Sequence, residues 1–328
     1  MNDEFSHLHA PYRAYALLSA SERIQWIRQD RWIHYSRAEQ VLNRLSDLLT
    51  YPPRDRMPCL LLFGPTGMGK TRIVQKFLRE HRSSFDDVTG RTRLPIVAVQ
   101  MPPAPSERDL YEELLVSMGA VLPTHQGVTT LRQRTRITAR QLEVRMLVID
   151  EIHSILAGTF REQRIVLNAI RFLANDLRIP LVCVGTHEAK QALMTDQQLA
   201  DRFEAWELPP WQDDPALLQL LASFAAILPL RRASELRDPK IRNRVLVLTE
   251  GVTVRICRLL EAAAFQAIEK EHELINLQML TDDLTTETLV SISDRRTRRN
   301  QLGGWRCTAT SRSCPRYCQL RLGRSRES

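Results

Sequence analysis

The chain lacks the long apolar runs that membrane proteins need. No stretch of its 328 residues approaches the roughly 20 apolar residues that cross a bilayer. Its first ten residues, MNDEFSHLHA, are acidic at the start and contain no apolar segment, so we expect no secretory signal peptide. These absences predict a cytoplasmic protein without a membrane partner.

Cysteine is too sparse and too scattered for a disulfide scaffold. Of the six cysteines, Cys59 and Cys183 lie in strand-like apolar runs and Cys257 in a helical one. They are typical of reduced core residues. The other three have neither C-x-x-C spacing nor a nearby histidine, so we expect no zinc site.

Excess charge is absent from most of the chain. Of the net charge of +8, residues 285–328 contribute +7 from ten arginines and three acidic residues. The remaining residues contain 36 basic and 35 acidic side chains, so their net charge gives no evidence for nucleic-acid binding. The segment 285–328 also lacks lysine and any helical or strand periodicity, and we predict that it is disordered. It is either translated past a frameshift or junction, or a basic nucleic-acid-binding tail.

The most informative segment is LLLFGPTGMGKT, at residues 60–71. It matches the phosphate-binding pattern G-x-x-x-x-G-K-[ST] completely, in the strand-to-helix context that the motif requires. Glycines let successive N–H groups face phosphate oxygens, Lys70 reaches the β- and γ-phosphates, and Thr71 binds Mg²⁺. The predicted nucleotide site comprises Gly64, Pro65, Thr66, Gly67, Met68, Gly69, Lys70 and Thr71.

Around this loop, apolar strand-like runs alternate with helical periodicity, which predicts a doubly wound α/β domain. Strands are predicted at Met57–Phe63, Leu94–Gln100, Val144–Ile149, Pro180–Gly185 and Ala205–Leu208. Helices are predicted between them at Lys70–His81, Glu107–Met118, Leu131–Gln141, Phe160–Asp176 and Ala189–Leu193. The site should lie at the carboxyl ends of the strands.

Purely helical patterns precede and follow this domain. We divide the chain into an N-terminal helical segment (1–50), the α/β domain (51–211), a helical domain (212–284) and the tail (285–328). The C-terminal helices are predicted at Pro215–Leu228, Ile241–Thr249, Thr253–Glu269 and Asn276–Leu284.

Two carboxylates follow the third strand, where a phosphate-binding loop needs them. Asp150 would act on Mg²⁺, largely through its water shell, and Glu151 would polarise the water that attacks the γ-phosphate. Thr186, which follows the fourth strand, would sense the nucleotide. The alternatives are an ordinary polar turn for the carboxylates and a loop-capping role for Thr186.

Taken together, these features resemble AAA+ ATPases, and more closely the TniB family of transposon ATP-binding proteins, relatives of the phage Mu B protein. The supporting stretches are Trp32–Tyr35, Leu60–Thr71, Val148–His153, Val184–His187 and Leu199–Phe203. The resemblance covers residues 20 to 284 and implies a central parallel five-stranded sheet followed by a small helical lid. It also implies ATP with Mg²⁺, a homo-oligomer with shared ATP sites, and sequence-independent binding of duplex DNA.

The resemblance assigns two further arginines to the site. Arg202 matches an arginine finger that would act on the neighbouring subunit's nucleotide, and Arg255 matches the sensor arginine of the lid. The alternatives are a surface pairing of Arg202 with Asp201 or Glu204, and a solvated helix position for Arg255.

An arginine-rich segment precedes the Asp150–Glu151 strand. Arg132, Arg136 and Arg140 could share one helical face. In the family that the chain resembles, this region faces the DNA-lined pore, although a solvated helix face would give the same pattern. No base-reading motif is visible.

The resulting hypothesis is an ATP-dependent regulator of transposition. It would assemble on target DNA and recruit the transposase and the target-selection protein of the same transposon. One alternative is a replication-initiator or helicase-loader ATPase. Another is a scaffold that binds nucleotide without turnover.

Overall fold

The alternating strands and helices build a mixed α/β core, and the computed structural model describes residues 5–122 and 126–281. The strands are β1 (Cys59–Phe63), β2 (Ser84–Asp86), β3 (Arg91–Arg93), β4 (Ile96–Gln100), β5 (Met146–Asp150), β6 (Leu181–Gly185) and β7 (Phe203–Glu207). The helices are α1 (Arg13–Ala16), α2 (Ala20–Arg28), α3 (Ser36–Leu49), α4 (Lys70–Glu80), α5 (Glu107–Ser117), α6 (Val128–Gln141), α7 (Phe160–Leu177), α8 (Glu188–Met194), α9 (Gln197–Ala200), α10 (Pro215–Ile227), α11 (Pro239–Thr249) and α12 (Thr253–Glu269). Short 3₁₀ turns occur at Ala10–Tyr12, Ile152–Ala157 and Met279–Thr281.

The central sheet has five strands in the order β4-β5-β6-β1-β7, and every neighbouring pair is parallel. This confirms the predicted parallel five-stranded α/β fold. Strands β1 and β6 are buried along their whole length, as expected for strands covered on both faces. The order places β1, which leads into the phosphate-binding loop, between β6 and β7.

Alternate residues of β1 belong to two separate cores. Leu60 and Leu62 pack with α3, α4 and the C-terminal helices, whereas Leu61 and Phe63 pack with α5 and α7. This follows from the period-two alternation of side chains along a strand. The sheet is therefore packed on both faces, and this packing fixes the position of its carboxyl edge.

The N-terminal helices pack against the C-terminal helices. Ser19 and Glu22 cap α2 reciprocally, as their spacing predicts. Trp26 of α2 belongs to the same buried cluster as α12. Arg23, only 2% exposed, forms two 2.7 Å hydrogen bonds with Glu273, which follows α12. Helices α2 and α3 thus share one core with α10, α11 and α12.

Several elements differ from their predicted bounds. Strand β7 begins two residues before the predicted Ala205–Leu208, because Phe203 and Glu204 lie on an edge strand with no continuous apolar pattern. The hairpin of β2 and β3 was not predicted, because none of its residues is buried. The predicted helix Asn276–Leu284 is a single 3₁₀ turn within the described residues. Its end, and the predicted tail 285–328, lie outside them.

Within residues 5–122 and 126–281, no helix is both long enough and apolar enough to cross a membrane.

The ion pair between Arg23 and Glu273 should dominate the attachment of α2 to the lid. We expect Glu273→Gln to lower the free energy of unfolding by about 3 kcal/mol, because Arg23 is left buried without a counter-charge. Burial alone would raise the pKa of Glu273, but hydrogen bonds from Arg23 and the Arg231 N–H hold it below the ordinary value. The stabilisation is therefore complete at neutral pH and is lost as pH falls through that lowered pKa.

Urea unfolding at pH 7 and at pH 4 would measure both effects. The exposed Glu271→Gln is the matched control and should change stability little. Equal stability of the two variants at pH 7 would contradict the prediction.

Candidate nucleotide site

The phosphate-binding loop leaves β1 at its carboxyl end and turns directly into α4. Gly64 has φ +148°, and a Cβ there would lie 2.4 Å from the carbonyl oxygen of Leu208. Only glycine fits this close approach between the loop and the exit from β7. The glycine at position 64 of the motif is therefore required by the close contact with Leu208, which follows β7.

Lys70 begins α4 and points back into the loop. Its Nζ donates to the carbonyl oxygens of Gly64 and Pro65, at 2.8 Å each, and the residue is 7% exposed. Burial lowers the pKa of Lys70, while the nearby carboxylates of Glu151 and Asp150 raise it. The ammonium group is therefore held against the backbone of the loop.

Thr71 and Asp150 meet across the carboxyl edge of the sheet. The Thr71 hydroxyl donates to Asp150 Oδ2 at 2.7 Å, and the Glu151 N–H donates to Asp150 Oδ1 at 2.8 Å. These contacts place a hydroxyl and a carboxylate side by side next to the loop. Mg²⁺ takes one or two protein oxygens and fills its other positions with water and phosphate, so this donor set fits it.

Glu151 directly follows β5 and has a left-handed backbone conformation. Its φ is +55°, in the left-handed region, where a non-glycine residue is disfavoured by about 1–2 kcal/mol. The side chain is 40% exposed and lies 3.3 Å from His153 Nε2. A strained carboxylate at a strand end suits a functional group.

Thr186 follows β6, the strand next to β1. The pairing of Phe63 with Gly185 places it beside the first residue of the loop. Its hydroxyl donates to Glu188 Oε2 at 3.0 Å, and its N–H donates to His153 Nδ1 at 3.5 Å. The structure therefore brings Thr186 to the same edge as Asp150 and Glu151.

The lid helix α12 contacts the phosphate-binding loop directly. The Val254 N–H donates to the Gly67 carbonyl at 3.0 Å, and the Thr253 hydroxyl donates to the Met68 carbonyl at 3.3 Å. A Cβ on Gly67, which has φ +83°, would lie 2.9 Å from the side chains of Val252 and Val254. The absence of a side chain at Gly67 allows this contact.

Arg255 lies in the first turn of α12, close behind these contacts. Its Nη1 forms a 2.5 Å ion pair with Glu250 Oε2. Glu250 ends α11 with φ +52°, so the turn between the two lid helices carries the partner of Arg255. The predicted sensor arginine is thus held at the base of the lid by a neighbouring carboxylate.

Arg202 lies at the opposite end of the sheet from the loop of its own chain. It immediately precedes β7, and its carbonyl accepts from the Cys59 N–H at the start of β1. Five residues of β7 at about 3.3 Å each separate it by about 16 Å from the carboxyl edge. Its Nη1 donates to Asn175 Oδ1 at 2.5 Å, which differs from the alternative pairing with Asp201 or Glu204.

The three arginines of α6 lie on the face that packs against α7. Arg136 donates twice to Asp176, at 2.8 and 2.5 Å, and Arg140 donates to the same carboxylate at 2.6 Å. The guanidinium carbons of Arg132 and Arg136 lie 5.8 and 5.3 Å from the Phe172 ring centroid. Arg136 in turn holds the pKa of Asp176 below its ordinary value. One carboxylate therefore offsets part of this positive charge.

A family model described as "Bacterial TniB protein" matches residues 23–213, which is more than half of the chain. The chain belongs to the TniB family. The matched region includes the phosphate-binding loop, Asp150, Glu151 and Arg202, and it ends just before α10 of this TniB protein.

Solved structures show that this TniB protein has the AAA+ fold. The ORC1 protein of Aeropyrum pernix, in complex with DNA, aligns with 20% identity over 82% of this chain and 67% of its own, with a TM-score of 0.53. CDC6P of Pyrobaculum aerophilum aligns with 17% identity over 76% of this chain and 68% of its own (TM-score 0.53). ORC2 of Aeropyrum pernix, with ADPNP and ADP, aligns with 12% identity over 84% and 74% (TM-score 0.55). A search of curated proteins gives no match.

The structure of this TniB protein also brings residues to the site that the sequence did not indicate, among them His153 and Trp211. His153 lies between Glu151 and Thr186. Trp211 donates through Nε1 to the Thr253 hydroxyl at 2.9 Å, which links the exit from the sheet to the lid. The only indication of His153 in the sequence is that it stands three residues after Asp150. No sequence pattern indicates the contact between Trp211 and Thr253, because it joins distant segments.

Proposed function

We propose that this chain binds ATP at Gly64–Thr71 and hydrolyses it to ADP and phosphate. The observation that carries the proposal is the convergence of a buried Lys70, the bonded pair Thr71 and Asp150, and Glu151 at one edge of the sheet. Each group has the chemistry that phosphoryl transfer requires at the position it occupies. The AAA+ fold provides the same edge for the nucleotide.

Lys70 and the loop N–H groups would bind the phosphates, with the positive end of the α4 dipole behind them. Thr71 and Asp150 would hold Mg²⁺, which when bound neutralises charge on the β- and γ-phosphate oxygens. Glu151 would take the proton of the attacking water as general base. Thr186 would contact the γ-phosphate or this water from the adjacent strand end.

Two arginines would complete the site. Arg255 could reach the phosphates from the lid if its ion pair with Glu250 breaks and the nucleotide takes the place of Glu250 as its partner. Arg202 is too far from its own loop and would act on the nucleotide of a neighbouring copy, as an arginine finger does in trans. The position of Arg202 therefore supports a homo-oligomer with shared ATP sites.

Substituting Glu151 tests hydrolysis separately from binding. We expect Glu151→Gln to lower ATP turnover by about 10²- to 10⁴-fold, because the amide cannot accept the proton of the water. Nucleotide affinity should be retained, since Lys70 and the loop are unchanged. Phosphate release and fluorescent-nucleotide titration, each with and without duplex DNA, measure the two effects.

The exposed Glu113→Gln is the matched control and should leave turnover unchanged. If the wild-type protein binds ATP but releases no phosphate with or without duplex DNA, the alternative of a scaffold that binds nucleotide without hydrolysing it is favoured.

Mixing two inactive variants tests the shared site. Lys70→Ala should lose nucleotide binding, and Arg202→Ala should lose turnover by about 10³-fold or more. A mixture should regain part of the wild-type phosphate release, because some interfaces combine an intact Lys70 with an intact Arg202. The control is Arg178→Ala, which removes an exposed arginine near Asp55. This variant should hydrolyse ATP without being mixed with another. Without recovery in an assembled mixture, Arg202 does not act in trans.

For the biological role, membership of the TniB family supports a regulator of DNA transposition. Bound to ATP, it would assemble on target DNA and recruit the transposase and the target-selection protein of the same transposon. The likeness to ORC1 and CDC6P keeps a replication-initiator or helicase-loader role as the second candidate, but their identities of 20% and 17% describe the fold only. An integration assay that requires a partner transposase separates the two roles.

We further propose that the α6 arginines contact duplex DNA without reading its sequence. Arg132→Gln should weaken binding and reduce the slope of log K against log salt concentration by about 0.9. Asp176→Asn should instead strengthen binding, because it removes the carboxylate shared by Arg136 and Arg140. Fluorescence anisotropy across a salt series on two unrelated duplexes measures both.

Arg56→Gln, on the exposed loop before β1, is the control and should leave the slope unchanged. An unchanged slope in Arg132→Gln together with unchanged affinity in Asp176→Asn would place the DNA elsewhere.

A further inference from the structure

One imidazole ring joins the ends of two neighbouring strands. His153 Nε2 lies 3.3 Å from Glu151 Oε2, after β5. On its other side, Nδ1 accepts from the Thr186 N–H at 3.5 Å, after β6. The ring therefore spans the gap between the proposed general base and the proposed nucleotide sensor.

Packing confines this ring. His153 lies in the 3₁₀ turn Ile152–Ala157, and its side chain is 19% exposed. A Cβ on Gly185 would lie 3.0 Å from Nδ1 and 2.8 Å from the Ala189 Cβ. Gly185 thus leaves just enough space for the imidazole beside β6.

The hydrogen bond at Nδ1 decides which nitrogen carries the proton. Because Nδ1 accepts from a backbone N–H, the neutral ring must carry its hydrogen on Nε2. Nε2 is the ring nitrogen that lies 3.3 Å from Glu151 Oε2. A backbone N–H after β6 thereby places the ring hydrogen on the nitrogen nearest the carboxylate that follows β5.

We propose that His153 is a positioning residue for Glu151. Its Nε2–H orients the carboxylate toward the water, and the bond from Thr186 couples that orientation to the end of β6. A displacement of Thr186 by nucleotide would reach Glu151 through a single ring. This inference rests on the proposed ATP hydrolysis and adds to it a connection between sensing and catalysis.

Three substitutions separate the donor from the rest of the ring. Gln places an amide nitrogen near the position of Nε2, Asn offers only a group near the position of Nδ1, and Leu keeps volume beside Gly185 without a donor. We expect His153→Leu and His153→Asn to lower kcat by about 10- to 100-fold, the usual effect of removing an orienting partner. His153→Gln should retain most of the turnover, and KM for ATP should stay near the wild-type value in all three.

A double-mutant cycle distinguishes positioning from a structural role. In Glu151→Gln protein, His153→Leu should cause no further loss of single-turnover hydrolysis of labelled ATP, because its target is already removed. An equal loss in both backgrounds, or a parallel rise in KM, would overturn the inference. So would wild-type turnover in His153→Leu.

The ring nitrogens give a readout that does not depend on activity. In ¹⁵N spectra of the full chain, assigned with His153→Gln, the His153 ring should show the Nε2–H tautomer. Its signals should move in Glu151→Gln and stay in place in Glu113→Gln. An Nδ1–H tautomer, or no response to Glu151→Gln, would overturn the inference. If the wild-type protein shows this coupling yet hydrolyses no ATP, the proposed function fails and the contact stands.

Discussion

The parallel pairing of β6 with both β1 and β5 is the constraint on which the site depends. Phe63 pairs with Gly185, and Ile149 pairs with Cys183, so the ends of the three strands lie within one residue of one another. The segments that follow them therefore meet without long loops. Because a slip of one residue would turn every side chain of a strand to the other face, the two apolar cores also fix this alignment. The packing that stabilises the sheet thus sets the geometry of the chemistry.

The lid depends on the same edge, through backbone contacts. The Val254 N–H bonds to the Gly67 carbonyl, and only a residue without Cβ allows that approach. Because α2 and α12 share a core, a movement of the lid must either carry the N-terminal helices with it or break the buried pair of Arg23 and Glu273. A nucleotide bound at the proposed site would therefore lie next to a helix that is packed against the N-terminal segment.

The parts of the fold that the sequence predicted are those that local patterns determine. Buried central strands are apolar throughout, and the phosphate-binding loop needs its glycines, so both are visible in one segment of sequence. Strand β7 and the β2–β3 hairpin are exposed and carry no such pattern. The contact of His153 with Thr186, and the shared carboxylate of Asp176, depend on which strands and helices become neighbours. Hydrophobic periodicity does not specify those neighbours.

The two ends of β7 lie next to different residues of the proposed nucleotide site. Its carboxyl end leads to Leu208, whose carbonyl oxygen would lie only 2.4 Å from a Cβ at Gly64, while its amino end follows Arg202. All five residues of β7 pair with β1, so one continuous ladder connects the two ends of the strand. If Arg202 contacts the nucleotide of a neighbouring copy, a displacement of Arg202 would be transmitted along β7 to the strand next to this chain's own loop. In an oligomer, this arrangement would link successive ATP sites through the sheet itself.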